Sequence, residues 1–283
     1  MIKFVNAKIN LGLNVIRRRE DGYHDLSTLF YPVGIKAGTA GDPGRLNDIL
    51  EVIPASQDIL QLTSGEVDCS LQDNLVWRAL QLYRDMNPEL PSVHIFLDKQ
   101  LPSQAGLGGG SADASFTLLA LNELADTPLS HQALMEAALR LGADCPFFII
   151  NRPCLASGVG ECLTPVSLDL SGLWLTVIKP SEGISTGQAF RYVTPQEPSI
   201  PIEEIIRKPI DEWKQLLVND FEVSMFHLHP EFRELKTYLY NRGAAYASMS
   251  GSGSAFYGIF YDRESAVQAA AHAPTPYATA TQL

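Results

Sequence analysis

Apolar and polar residues alternate near the start of the chain. From Ile9 to Val15 every second side chain is apolar, which predicts a half-buried strand whose opposite face carries Lys8 and Asn10. A turn at Asp21-Gly22 and a second extended run from Ser27 to Val33 follow. Together these features predict a β-hairpin.

Helical and extended patterns alternate through the next hundred residues. Residues 48–53 and 93–97 are apolar runs that predict strands, whereas the Gly-rich segment 34–47 predicts a loop. Apolar side chains recur at helical spacing from Asn74 to Met86 and again from Ser130 to Leu141, where Ser130 is a predicted N-cap and Gly142 ends the helix. The first half of the chain therefore mixes both kinds of element.

The composition of the chain changes after Asn151-Arg152-Pro153, so we place a domain boundary near residue 155 and expect domains at 1–155 and 156–283. In the second domain the apolar runs predict strands at 173–179, 245–249 and 255–261, the last two flanking a Gly/Ser loop at 250–254. Helices are predicted near 211–217, 219–227 and 231–241, after Asp262, and in a short segment capped by Ser185 and Thr186.

The segment between the strand at 93–97 and the next apolar helix is rich in glycine. It contains Gly106, Leu107, Gly108, Gly109 and Gly110, followed by Ser111 as the predicted N-cap. Glycines let the backbone approach an anion closely, and the N–H groups and dipole at a helix N-terminus attract it. This order predicts a cradle for nucleotide phosphates, with a strand-to-helix turn that binds no ligand as the alternative. The spacing differs from the Gly-Lys-Ser/Thr P-loop and from the dinucleotide-binding G-x-G-x-x-G motif.

Charge and cysteine usage narrow the classes of ligand. The chain has 21 Lys and Arg against 32 Asp and Glu, and the formal net charge of −11 argues against broad binding to nucleic acid or to an acidic membrane. The four cysteines show neither CxxC pairs nor zinc-ligand spacing, and Cys145 lies in an apolar run that predicts a buried thiol. We therefore expect a reduced, cytoplasmic compartment, with neither a signal peptide nor a membrane span.

One carboxylate precedes a strongly apolar run. Asp144 stands before the residues Cys145 to Ile150, where a buried carboxylate is costly unless it is paired or hydrogen-bonded. Asp144 is a candidate helix N-cap and a candidate group for the chemistry of the site, and one residue can have both roles. Phosphoryl transfer needs a phosphate cradle, a cation, a divalent metal and a carboxylate that receives the acceptor's proton. The cradle, Lys8 and Asp144 match those needs, whereas the histidines form no H-E-x-x-H pattern and Ser250-Gly251-Ser252-Gly253 is not a G-x-S-x-G elbow.

Four motifs occur in the order in which one enzyme superfamily carries them. They are Ala7-Lys8-Ile9-Asn10-Leu11, Asp21-Gly22-Tyr23-His24, the run from Pro102 to Ala114, and the run from Met249 to Ser254. The third resembles the phosphate loop of the GHMP kinases, the galactose, homoserine, mevalonate and phosphomevalonate kinase superfamily. The others narrow the resemblance to the branch that phosphorylates a cytidyl diphosphate sugar alcohol in non-mevalonate isoprenoid synthesis. The resemblance implies an α+β, two-domain GHMP kinase fold, with an N-terminal ATP-binding domain resembling a ribosomal-protein domain and a C-terminal α/β sandwich.

The resemblance also implies roles for the matching residues. Asp144 matches the catalytic carboxylate, and Lys8 matches the lysine beside it, which would keep that carboxylate ionised and neutralise charge on the moving phosphoryl group. Tyr23 and Phe190 match aromatics that stack on cytosine, and His24 matches a residue that hydrogen-bonds to it, although Phe190 has a core role as its alternative. Substrate binding is implied for Asn10, Tyr23, His24, Thr186 and Phe190, and ATP binding for Pro102, Gly106, Leu107, Gly108, Gly109, Gly110, Ser111 and Ala112.

The resemblance implies Mg²⁺ as cofactor beside ATP, with Ser111 as the one candidate ligand. The expected partners are ATP and the cytidyl diphosphate sugar alcohol, and the chain is expected to be a monomer or a weak homodimer. A kinase for another small alcohol, such as homoserine or mevalonate, is one alternative, and a non-catalytic nucleotide-binding protein on this fold is another. The sequence departs from the usual family pattern at Cys145, in place of a small apolar residue, and in the long segment 34–47.

Overall fold

The computed structural model describes residues 1–34, 46–65, 69–183 and 186–283, apart from the side chain of Thr186. The chain divides into two compact units. The first unit comprises Met1–Ala7, Asn47–Ser103 and Gly108–Arg152, and the second comprises Lys8–Leu46, Gln104–Leu107 and Pro153–Leu283. Both units are discontinuous in sequence, and the boundary at residue 155 stays a prediction. None of the helices in the described ranges is long and apolar enough to cross a membrane.

Strands and helices have the following bounds. The strands are β1 (Ile2–Arg18), β2 (His24–Val33), β3 (Asn47–Pro54), β4 (Ile59–Ser64), β5 (Val93–Asp98), β6 (Cys154–Ser157), β7 (Cys162–Pro165), β8 (Trp174–Lys179), β9 (Tyr246–Met249), β10 (Phe256–Phe260) and β11 (Tyr277–Gln282). The helices are α1 (Leu75–Met86), α2 (Gly109–Leu124), α3 (His131–Leu141), α4 (Cys145–Ile150), α5 (Thr186–Ala189), α6 (Ile202–Ile205), α7 (Trp213–Leu216), α8 (Phe221–Leu228), α9 (Phe232–Asn241) and α10 (Arg263–Ala271).

The first unit packs helices against one face of a sheet with the order β4-β5-β3-β1. β3 is antiparallel to both of its neighbours, and β4 runs parallel to β5. Alternate residues such as Leu50, Val52, Ile95 and Leu97 are buried, and this period of two is what one covered sheet face requires. The glycine loop follows β5 and leads into α2, as the sequence predicts.

The second unit contains two sets of strands. The rest of β1 continues through β2 and β6 to β7, and a separate antiparallel sheet has the order β11-β8-β10-β9. Phe221, Phe232, Phe256 and Phe260 are buried in a core between that sheet and its helices. Asp262 caps α10 by accepting the N–H of Ser265 at 2.8 Å.

Several sequence-based expectations are confirmed. The β1–β2 hairpin, α1, α3 with its Ser130 cap, and the β9–β10 pair all form where the patterns predict them. The strand predicted at Ile9 to Val15 forms within β1, but the prediction that it is half-buried is wrong, because every residue from Val5 to Val15 is buried. The sequence patterns also missed β4 and β11. Most of the predicted loop at 34–47, and Ser185, lie outside the described residues.

Candidate functional site

The first part of the glycine loop is bound by the Gly/Ser loop at 250–254, within the second unit. Ser254 and Ala255 donate their N–H groups to the carbonyls of the two residues before Gly106, each at 3.2 Å. Ser250 Oγ donates to the carbonyl of Gly106 at 2.8 Å. The two glycine loops that are separated by about 140 residues in sequence are therefore one hydrogen-bonded structure, which the sequence alone did not indicate.

Gly106 is a position where only glycine fits. Its φ of 72° lies in the left-handed region, and a Cβ there would overlap the carbonyl oxygen of Ser250. The next residue, Leu107, accepts the N–H of Lys8 at 2.9 Å. The backbone of Lys8, the predicted catalytic lysine, thus binds the glycine loop to β1.

The second part of the glycine loop forms the start of α2 in the first unit. Gly108 has a φ of 73° at the N-cap position, and the helix begins at Gly109. Ser111 is therefore the third residue of the helix, and the prediction that it is the N-cap is wrong because the glycines themselves adopt the entry turn. Since Gly108 has no side chain, no side-chain cap binds the N–H groups of the first turn. Helix ends of this kind bind anions.

Lys8 and Asn10 lie in a buried polar row of the second unit. Their exposed fractions are 3% and 2%. Lys8 Nζ donates to Asn10 Oδ1 at 2.6 Å, and Asn10 Nδ2 donates to Thr28 Oγ1 at 2.9 Å. The ammonium also lies 4.8 Å from the ring centre of Phe30. Lys8 is therefore held in place and is not a solvated strand lysine.

The residues predicted to hold cytosine lie at the hairpin tip and in the second unit's helical segment. Tyr23 is 64% exposed, and its N–H binds Asp21 Oδ1 at 3.0 Å. His24 stacks on Phe190 with ring centres 4.3 Å apart. Burial, followed by the nearby charge of Arg18, lowers the pKa of His24, which favours a neutral imidazole at neutral pH.

Phe190 also contacts the core. Its ring packs edge-on against Phe221 at 4.8 Å, so its predicted alternative as a core aromatic is partly correct. Phe190 therefore contacts both His24 and the core. Thr186 begins α5, and its side chain lies outside the described residues.

Asp144 precedes α4 in the first unit and is partly exposed. It occupies the N-cap position, but its side chain makes no capping hydrogen bond. Helix capping therefore does not account for this carboxylate. The next residue, Cys145, is buried as predicted, and burial raises the pKa of its thiol to about 11. The pairing of Asp144 with Lys8 stays a prediction.

A buried charged cluster in the first unit was not predicted. Lys99 Nζ donates to Asp48 Oδ2 and to Asp113 Oδ2, the latter at 2.7 Å. Burial and then the charge of Asp48 raise the pKa of Asp113 to about 8, although Lys99 acts in the opposite direction. Asp48 lies in β3, Lys99 directly after β5 and Asp113 in α2, so no local pattern connects the three residues.

Asn219 is a further residue whose contacts the sequence did not indicate. Its Nδ2 donates to the carbonyls of Met249 and Gly251, each at 2.9 Å, and its Oδ1 accepts the N–H of Phe221 at 3.0 Å. Asn219 therefore binds the first N–H of α8 as well as the Gly/Ser loop. The two carbonyls that Asn219 binds lie on either side of Ser250, the residue that contacts Gly106.

Two ranges of the chain match family models of known kinases. Residues 74–152 match the model of the GHMP kinases N terminal domain, and residues 202–279 match the GHMP kinases C terminal model. A solved mevalonate kinase from Methanococcus jannaschii superimposes with a TM-score of 0.67 at 13% identity, covering 100% of this chain and 98% of that one, so it shares the fold. The chain has the fold of a GHMP kinase.

Closer relatives define the family. A 4-diphosphocytidyl-2-C-methyl-D-erythritol kinase from Azobacteroides pseudotrichonymphae is 48% identical over 92% of this chain and 93% of its own length. The crystal structure of a 4-(cytidine 5'-diphospho)-2C-methyl-D-erythritol kinase superimposes with a TM-score of 0.83 at 35% identity over the full length of both chains. The chain therefore belongs to the 4-diphosphocytidyl-2-C-methyl-D-erythritol kinase family of GHMP kinases. The expected α+β, two-domain fold is confirmed.

Proposed function

We propose that this chain transfers the γ-phosphoryl group of ATP to the 2-hydroxyl of 4-diphosphocytidyl-2-C-methyl-D-erythritol, in the non-mevalonate route to isoprenoid precursors. The observation that carries the proposal is the 48% identity to a relative of that name over more than nine-tenths of both chains. All four sequence motifs of the family are present in order. The joined glycine loops and the buried Lys8 row supply the positioned groups that phosphoryl transfer requires.

In this proposal Asp144 accepts the proton of the substrate hydroxyl. It orients the hydroxyl and takes the proton late in the transfer, because phosphoryl transfer depends mainly on positioning and charge stabilisation. Lys8 stabilises the charge that develops on the phosphoryl group. Support comes from the fixed ammonium, which Asn10 Oδ1 and the Phe30 ring hold in place. A fixed charge requires little reorganisation during the reaction.

The N-terminus of α2 binds the ATP phosphates in this proposal. Gly108, Gly109 and Gly110 leave the backbone accessible, and the uncapped first turn offers its N–H groups. The described residues contain no group of three or more His, Cys, Asp or Glu that could hold a metal. Mg²⁺ commonly takes most of its ligands from phosphates and water, so at a phosphate-binding site it would need few ligands from the protein. Ser111 is the candidate protein ligand, and the bound ion would neutralise phosphate charge.

Specificity for the cytidyl group lies at Tyr23, His24 and Phe190 in this proposal. The exposed ring of Tyr23 offers a face for stacking, which a buried core aromatic could not. A neutral His24 ring both donates and accepts a hydrogen bond, as recognition of a base edge requires. Asn10 and Thr186 remain predicted substrate contacts. We also expect a cytoplasmic monomer or weak homodimer.

The experiment is a substrate panel with purified protein and MgATP, monitored by ADP release. We expect turnover of the cytidyl substrate, none with homoserine or mevalonate, and competition by CMP. Turnover of homoserine or mevalonate that CMP does not inhibit would favour the small-alcohol alternative. The absence of turnover with every acceptor would favour the non-catalytic alternative.

A further inference from the structure

Asp48 uses its two carboxylate oxygens for two different tasks. Oδ1 accepts the N–H groups of Gln100 at 2.6 Å and of Leu101 at 2.7 Å, and Oδ2 accepts Lys99 Nζ. The side chain is fully buried at the start of β3. Gln100 and Leu101 lie after the end of β5, so strand pairing does not satisfy their N–H groups. The carboxylate therefore fixes the backbone directly before Pro102, where the glycine loop segment begins.

Lys99 extends this contact to the helix that follows the loop. Its ammonium bridges Asp48 and Asp113, and Asp113 lies one turn inside α2. The same ammonium lies 3.5 Å from the position that a Cβ on Gly109 would occupy. The cluster thus contacts the segment that enters the glycine loop and the first turns of the helix that leaves it. All of these residues belong to the first unit.

We propose that Asp48 is a positioning residue for nucleotide binding, which fixes the backbone before Pro102 and, through Lys99, the start of α2. Asp48 itself is fully buried and acts through its neighbours. The identity of the ligand rests on the proposed function. The hydrogen bonds that Asp48 makes do not depend on it.

Asp48→Asn is the sharpest substitution, because it keeps the shape and removes one acceptor. The asparagine side chain has only one oxygen, which can accept either the two backbone N–H groups or Lys99 Nζ. Its NH₂ group would then face the remaining donor, with which it cannot form a hydrogen bond. Asp58→Asn is the matched control at the other end of β5. There a single oxygen, Oδ1, accepts both Val93 N–H at 3.0 Å and Arg84 at 2.7 Å, so an amide oxygen can keep both contacts.

Two measurements on the whole chain test the proposal. Steady-state kinetics should show that Asp48→Asn raises the KM for ATP about tenfold, the equivalent of one lost hydrogen bond, with kcat and the acceptor KM within about twofold of wild type. Asp58→Asn should leave all three constants within about twofold. Amide hydrogen exchange by NMR, without nucleotide, should be faster at Gln100 and Leu101 in Asp48→Asn alone. Equal KM values for ATP in the two variants would overturn the proposal.

The exchange measurement separates this proposal from the proposed function. If the wild-type chain turned over no substrate, the proposed function would fail, and the exchange rates would still decide whether Asp48 holds the loop. If Asp48→Asn did not fold, wild-type exchange alone would decide. Slow exchange of the Gln100 and Leu101 amides would support the role of Asp48 in holding this backbone, and exchange at the rate of an unstructured peptide would overturn it.

Discussion

Gly106→Ala tests the junction between the two glycine loops. Gly106 has a φ of 72°, so alanine there incurs a left-handed backbone cost of about 1–2 kcal/mol. The added Cβ would also overlap the Ser250 carbonyl and displace the Gly/Ser loop. Three hydrogen bonds join the loops, each with a net value of about 0.5–1.5 kcal/mol. We therefore expect a total loss of roughly 3–6 kcal/mol.

Gly172→Ala is the matched control for that variant. Gly172 has a φ of 90°, and an added Cβ there would meet nothing within 4 Å. It should lose only the backbone cost of about 1–2 kcal/mol and keep full activity. Urea denaturation gives both free energies of unfolding, and kcat/KM for ATP should fall at least about tenfold in Gly106→Ala alone, for 1.4 kcal/mol or more of lost interaction. The same stability and the same activity in the two variants would refute the proposed junction.

Three further predictions concern buried polar side chains. Lys8→Met should lower kcat about 100-fold or more, with Lys8→Arg retaining part of the activity, and equal activity of Lys8→Met and wild type would contradict the role of its charge. Asn219→Asp should destabilise the chain by about 2–4 kcal/mol in urea denaturation, because it places carboxylate oxygen against two carbonyls; an unchanged midpoint would contradict this. Asp113 keeps its proton in the folded state up to about pH 8, whereas the unfolded side chain loses it near pH 4, so wild-type stability falls across this window. The free energy of unfolding of Asp113→Asn minus that of wild type should therefore increase from pH 5 to pH 8, by at most about 1.4 kcal/mol per pH unit. If this difference between the two free energies did not change with pH, the raised pKa of Asp113 would be contradicted.

Local patterns predicted most of the elements around the site. Ser130 capping and the apolar spacing of α3, the Asp21-Gly22 turn, and the order of strand, glycine loop and helix all depend on residues near one another in sequence. The needs of phosphoryl transfer pointed to Lys8 and Asp144 as functional candidates, and the family motifs added Tyr23 and His24. The strand pattern of β1 misled in one respect, since the polar side chains that should face solvent bond to one another and are buried.

Contacts between distant segments could not be predicted from the sequence. The pairing of Ser250 with Gly106 depends on how β9 and β10 place their loop, which no spacing within either loop reveals. The cluster of Asp48, Lys99 and Asp113 joins β3, the segment after β5 and α2, and charged residues are common enough that their sequence positions suggest no partner. The predicted N-cap, Ser111, lies three residues after the observed one, because Gly108 enters the helix in a left-handed conformation without a capping side chain.

The most direct test of the central claim is the product formed with MgATP and 4-diphosphocytidyl-2-C-methyl-D-erythritol, analysed by mass spectrometry and phosphorus NMR. The wild-type chain should add one phosphoryl group at the 2-hydroxyl. Asp144→Asn should bind ATP normally and form product about 10²–10⁴-fold more slowly, the range of general acid–base contributions. A wild-type chain that forms no 2-phosphate, or an Asp144→Asn variant as fast as wild type, would contradict the account.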